Sequence, residues 1–149
     1  MDRTAHWAQR ARRSFLAGAE ARAGRGLHQS QFGISQGGID ASLRAESAQR
    51  TVEVGFDGYA IGGLSVGETR QEMLPALAAA IEHLPDDQPR YLMGVGDPAA
   101  IVEAVGLGVD LFDCVLPTRH ARHGTVLTGT GKLSLKRAEY ERDERPLDE

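Results

Sequence analysis

One carboxylate in this sequence stands where an apolar residue is expected. Asp113 lies in Asp110-Leu111-Phe112-Asp113-Cys114-Val115, a run that otherwise reads as a buried strand. Such a group either accepts backbone hydrogen bonds as part of the scaffold or serves as a buried nucleophile or base. Three further segments are apolar runs that open into glycine-rich loops: Ser35-Gln36-Gly37-Gly38, Gly62-Gly63-Leu64-Ser65 and Met93-Gly94-Val95-Gly96-Asp97. A glutamine amide, exposed glycine backbone, a thioether and a carboxylate on one rim suit a flat heterocycle. The amides would bond in its plane and the sulfur would pack on its face.

Each of these residues also has a plainer reading. Gln36 can cap a loop, Gly62-Gly63 can be turn glycines, Met93 can be core, and Glu68 sits at the third position of a capping box begun by Ser65. Gly94-Val95-Gly96 is a lone Gly-x-Gly, a turn or a phosphate seat at the start of the next helix. Arg119-His120-Ala121-Arg122-His123 is a basic cluster in a chain of net charge −4. It is either solvated loop charge or a loop that contacts phosphate or RNA. His120 and His123 have no third ligand nearby in sequence, which argues against a metal site. Cys114, the one cysteine, reads as packing.

The elements that must position these groups recur as strand, loop and helix. Residues 2–25 read as a helix, with Trp7, Ala11, Phe15 and Leu16 at helical spacing and Arg10, Arg12 and Arg13 between them. A strand at 31–34 runs into a glycine loop and a helix at 41–54 capped by Asp40. A strand at 57–61 precedes a helix at 72–84, with Thr69 and Glu72 at capping-box spacing. A strand at 90–93 precedes a helix at 99–107 introduced by Asp97-Pro98. A fourth strand covers 109–115. Residues 125–128 and 132–136 read as a hairpin. The last segment, 137–149, reads as a charged, mobile tail.

Four such units with near-continuous apolar strands predict a parallel α/β sheet buried on both faces. An open doubly wound sheet fits, and so does half of an eight-stranded barrel, since a whole barrel needs about 250 residues. In both, ligands bind at the C-terminal strand ends, where all the segments above fall. The chain has 149 residues, 41% of them hydrophobic, and 18 glycines, the composition of one folded domain. No apolar run reaches 18 residues, which excludes a membrane-spanning helix. The start of the chain lacks the apolar stretch of a signal peptide. A single cysteine excludes an internal disulfide and fits a reducing, cytoplasmic setting. The acidic balance offers no global attraction for nucleic acid, so any such contact must be local.

Taken in order, five segments resemble the bacterial tRNA-guanine transglycosylase family: residues 32–38 (FGISQGG), 55–68 (GFDGYAIGGLSVGE), 89–98 (PRYLMGVGDP), 109–124 (VDLFDCVLPTRHARHG) and 145–148 (RPLD). The resemblance covers nearly the whole chain, and the segments together are specific where each alone is weak. It implies a zinc-containing barrel enzyme, a homodimer in its full-length form. Its substrate would be a tRNA with guanine at the wobble position, exchanged for a 7-deazaguanine, the queuosine precursor. By motif, Asp113 matches the nucleophile. Gln36 and Gly63 match base-recognition positions, Leu64 offers its carbonyl to the precursor's aminomethyl group, and Met93 packs on the base. Glu68 matches the residue that holds the Leu64–Ser65 peptide, and Val66 matches the bacterial pattern. Gly94, Val95, Gly96, Asp97, Pro98, Ala99 and Ala100 match one RNA-contacting stretch. Thr118, Arg119, His120, Ala121 and Arg122 match another.

The resemblance also marks gaps. Nothing here matches the family's general acid/base aspartate, the aspartate that reads the guanine edge, or the zinc cysteines and histidine. The expectation is therefore a single partial-barrel domain over 1–149: strands five to eight, an insertion hairpin and half an active site. Open strand edges should make the isolated chain self-associate or bind an apolar dye, with little activity of its own. Two other readings remain. One is a non-catalytic RNA-binding or assembly subunit of such an enzyme, which would not need Asp113, Gln36 and Gly63. The other is a small phosphate-binding α/β enzyme built on Gly94-Val95-Gly96.

Overall fold

The computed structural model describes residues 2–147. Its chain forms two compact units, 1–113 and 114–149. In the first unit, β1 (Phe32–Ser35), β2 (Gly58–Ile61), β3 (Arg90–Leu92) and β4 (Leu111–Phe112) pair in the order β1-β2-β3-β4, every pair parallel. Between them run α3 (Ala41–Val54), α4 (Arg70–Ile81) and α5 (Pro98–Gly106). This is the predicted parallel α/β sheet, and four consecutive β/α units correspond to half of a barrel. β1 and β4 are the edges.

Each helix begins as its sequence dictates. Asp40 accepts from the Leu43 N–H at 3.0 Å and Asp97 from the Ala100 N–H at 3.1 Å, with Pro98 in the first turn. The Thr69–Glu72 capping box is complete, which starts α4 two residues before the predicted position. The core lies between α4, α5 and the sheet. It is built from Ile61, Leu77, Leu92, Ala76, Ala80 and Ala104, all fully or almost fully buried.

Several expectations need correction. The first helix is broken at Gly18 into α1 (Asp2–Ala17) and α2 (Ala19–Ala23). Its apolar stripe is not its buried face: Trp7 and Leu16 are exposed, and α1 is tied down instead by Arg12, whose guanidinium meets Asp57 at 2.9 Å. β4 is two residues long rather than seven, because only Tyr91 and Leu92 of β3 have partners on it. Beyond Phe112 the Asp113 side chain, not its backbone, bonds to the neighbouring segment.

The second unit holds α6 (Leu116–Arg122) and an antiparallel hairpin of β5 (Thr125–Thr128) and β6 (Gly131–Ser134). The basic segment after the fourth strand is thus a helix rather than the expected loop. Pro117 falls in its first turn, the position that tolerates a residue without an N–H. The hairpin forms with its first strand at the predicted 125–128, but its second strand runs over 131–134 rather than 132–136, which leaves a two-residue turn at Gly129-Thr130. Within the tail, Ala138–Tyr140 form a 3-10 turn. Arg145 pairs with Asp143 at 2.7 Å and holds the pKa of the Asp143 carboxyl down at about 2. Of the Arg-Pro-Leu-Asp motif, Asp148 lies outside the described residues.

Candidate active site

The rim at the strand ends is built from beneath by α3. The buried side of this helix carries Arg44, Ser47, Ala48 and Thr51, a stripe at i, i+3, i+4 and i+7 that is polar rather than apolar. Arg44 is 0% exposed. Its Nε donates to the Gly38 carbonyl at 2.7 Å, Nη1 to Gly62 at 2.7 Å and Nη2 to Gly63 at 3.1 Å. The Ser47 hydroxyl accepts from the Gln36 N–H at 2.9 Å, and the Thr51 hydroxyl donates to the Ser47 carbonyl at 2.7 Å. Burial lowers the Arg44 pKa, against the opposing pull of the Glu68 charge. A guanidinium stays protonated under such shifts.

These bonds bring the β1 and β2 loops together. The Gln36 side chain lies on the Gly62-Gly63 backbone so closely that a side chain at either glycine would displace its amide. A Cβ at Gly62 would stand 2.7 Å from Gln36 Nε2, and one at Gly63 2.6 Å from Oε1. Gly63 also has φ +69, which other residues adopt at a cost. The following peptides are held from the other side by Glu68, which accepts from the Ser65 N–H and, at 3.0 Å, from the Val66 N–H. Glu68 thus reaches back as a capping box would, but no helix starts at Ser65. Ser65 has φ +69, the one positive-φ residue other than glycine among the described residues. Leu64 is buried at 3% exposure and Val66 is 81% exposed.

At the far end of the rim, Asp113 Oδ1 accepts from the Tyr91 hydroxyl at 2.7 Å and the Gly94 N–H at 2.8 Å. The carboxylate is exposed, so the expectation of a buried acid is corrected: β4 ends at Phe112 and Asp113 stands past it on the sheet edge. The Tyr91 hydroxyl first, and the Gly94 N–H with it, hold its carboxyl below the usual carboxylate range. The same bond raises the Tyr91 phenol. Met93 is half-buried beside this corner in sequence. Asp113 is therefore an ionised carboxylate at neutral pH, held in one orientation by two donors.

In the 94–100 stretch Gly94, Asp97, Pro98 and Ala99 are exposed. Val95 and Ala100 are buried at 3% and 5% exposure, and Gly94 spends its N–H on Asp113. The Asp97 carboxylate occupies the N-cap of α5, where a bound phosphate would otherwise sit. In the second unit, Thr118, Arg119, Ala121 and Arg122 are exposed on α6 and His120 is half-buried. Among the described residues no group of three or more His, Cys, Asp or Glu could hold a metal ion. The zinc implied by the resemblance therefore has no fitting ligand set in them. Among the described residues no helix is long and apolar enough to cross a membrane.

Sequence reading brings out Gln36, Gly63, Glu68 and Asp113 but misses Arg44 and Tyr91. A signal for Arg44 is present: a helix between two parallel strands whose inward stripe is polar. A search for apolar periodicity passes over it.

A parallel sheet of four strands alternating with helices, with polar groups at the C-terminal strand ends, is consistent with half of a β/α barrel. More specifically, the chain belongs to the queuine tRNA-ribosyltransferase family, whose model matches residues 1–149. It is 54% identical over 145 residues to the queuine tRNA-ribosyltransferase of Solidesulfovibrio magneticus, covering 97% of this chain and 37% of that protein. It is 50% identical to that of Halothermothrix orenii (99% of this chain, 37% of that protein) and 52% identical to that of Caulobacter vibrioides (99% and 38%). The chain spans little more than a third of the length of these relatives.

Proposed function

We propose that this chain is the nucleophile-bearing and base-binding segment of a tRNA-guanine transglycosylase. The reaction would exchange guanine at the wobble position of a tRNA for the 7-deazaguanine precursor of queuosine. The observation that carries the reading is one rim holding an ionised Asp113 at one end and the Gln36–Gly63 amide platform at the other.

In this reading Asp113 attacks the ribose anomeric carbon. Both donors grip Oδ1, so Oδ2 is the attacking oxygen. The glycosidic bond breaks, its electron pair leaves on the guanine nitrogen, and that base takes up a proton. An aspartyl–ribosyl ester remains. The incoming base loses a proton, its nitrogen attacks the same carbon, and the carboxylate departs. Two displacements give net retention, as in retaining glycosidases. The Gln36 amide and the Gly63 N–H bind the base in its plane, Met93 packs on its face, and the Leu64 carbonyl receives the aminomethyl group. Glu68 fixes the Leu64–Ser65 peptide. Arg119 and Arg122, with the 94–100 backbone, meet the RNA around the wobble nucleotide. The proton donor and the zinc site belong to other segments of a larger dimeric, cytoplasmic enzyme.

A non-catalytic RNA-binding subunit would have no use for the paired donors on Asp113, which keep a carboxylate charged and aimed. The test is a segment exchange. This chain replaces the matching 145 residues of the Solidesulfovibrio magneticus relative, and radiolabelled guanine incorporation into tRNA is measured. The expected outcome is incorporation that Asp113→Asn abolishes. Undiminished incorporation with Asn at that position would sink the proposal.

A further inference from the structure

Arg44 has no role in the reaction described so far, yet it is the largest fully buried side chain among the described residues. Burying a guanidinium is costly unless its donors are matched. Here no carboxylate forms an ion pair with it among the described residues. Three backbone carbonyls take its place, all in the two rim loops. A leucine would fill the same space at less cost, so packing does not account for it.

The geometry of the peptide unit says what the guanidinium accomplishes. A trans peptide is planar, and its C=O and the following N–H point in opposite directions. Nη1 holds the Gly62 carbonyl, so the Gly63 N–H points away from Arg44. Nη2 holds the Gly63 carbonyl, so the Leu64 N–H points away as well. No described group accepts from either N–H. Two adjacent donors are therefore turned to the side opposite the buried cation, an arrangement suited to an acceptor-rich ligand. Nε fixes the Gly38 carbonyl in the same way and keeps the Gln36 loop against Gly62. Glu68 then clamps the next two N–H groups, those of Ser65 and Val66, so the unclaimed pair is confined to Gly63 and Leu64.

We propose that Arg44 is a positioning residue for base recognition: by holding the Gly62 and Gly63 carbonyls from below, it aims the Gly63 and Leu64 N–H groups at the base. The base itself is taken from the function proposed above. Lysine at this position keeps the charge and stem but not the planar fork that reaches three carbonyls.

Hydrogen exchange read by mass spectrometry, on the chain and its Arg44→Lys and Arg44→Met variants with and without 7-deazaguanine, tests this. In Arg44→Lys, the segment 62–66 should exchange roughly tenfold faster or more while α4 and β3 stay within about threefold of the unsubstituted chain. In the unsubstituted chain 7-deazaguanine should slow exchange of 62–66, and Arg44→Lys should need at least about tenfold more of it for the same protection. A 62–66 segment that exchanges at the original rate in both variants overturns the proposal. So does an acceleration spread evenly over the sheet, which is what a merely structural arginine would produce. If the base protects nothing in the unsubstituted chain, the base-site reading fails and the base-free comparison alone decides the role of Arg44. If Arg44→Met unfolds, Arg44→Lys decides.

Discussion

At the Gln36–Gly63 end of the rim, a guanidinium with no solvent exposure ties two loops together through three carbonyls. At the Asp113 end, an exposed carboxylate just past an edge strand of two residues takes two donors from the β3 segment. The first end is fixed from beneath and is complete within this sheet. The second is held by donors from one neighbouring segment and is exposed. On the proposed function, the base platform is preorganised within this sheet, whereas the proposed nucleophile is oriented but left in water. A lower-dielectric setting strengthens the electrostatics of a reacting carboxylate, so the two ends should respond differently to substitution.

Among substitutions that leave Asp113 in place, the largest effect should come from disturbing the fixed end. Gly63→Ala sets a methyl 2.6 Å from Gln36 Oε1 at a φ of +69. Strain of this kind costs about 1–3 kcal/mol. In the segment-exchanged enzyme the KM for the base should rise roughly 10- to 100-fold, with kcat far less affected. An unchanged KM would mean that the Gln36–Gly63 contact is structural only.

A smaller effect is expected at α6, the helix proposed to meet RNA. Replacing Arg119 and Arg122 together by alanine should weaken tRNA binding by about tenfold near physiological salt. The slope of log affinity against log salt should fall by about 1 for each phosphate that is no longer neutralised. Binding with an unaltered salt slope would remove α6 from the interface.

The smallest effect should be at the open end. Tyr91→Phe removes the first of the two donors that lower the Asp113 pKa. The carboxyl should then titrate closer to the ordinary carboxylate value. The acid limb of the rate profile moves to higher pH, and activity at neutral pH falls only about threefold. The stability linkage has the matching sign. The folded-state pKa of Asp113 is depressed, so its contribution is present above the unfolded value of about 4 and is lost as pH falls through the folded value. Tyr91 is raised, so its contribution is present below about 10 and is lost as pH rises through its folded value. The hydrogen bond therefore persists across the neutral range, and a rate limb near pH 7 assigned to Asp113 would contradict this geometry.

Much of this is legible in the residues. Caps announce themselves locally, so Asp40, Thr69–Glu72 and Asp97-Pro98 place three helices to within two residues. Parallel strands read as short apolar runs before glycine loops, and those loops carry the rim. What escapes depends on distant partners. The length of β4 follows from how much of β3 faces it, which no local pattern records. The apolar neighbours of Asp113 imply burial, but an edge strand exposes what a central strand would cover. Arg44 escapes because a charged residue on a helix reads as solvent-facing, and its carbonyl partners lie up to 19 residues away.

The central claim is that Asp113 is the nucleophile of a covalent exchange. The most direct measurement is to incubate the segment-exchanged enzyme with an anticodon stem-loop, quench in denaturant and look for a protein–RNA adduct by mass. The account predicts an adduct that maps to Asp113, disappears when excess free base is added before quenching, and never forms in Asp113→Asn. An enzyme that exchanges guanine with no adduct, or whose Asp113→Asn variant still forms one, would contradict it.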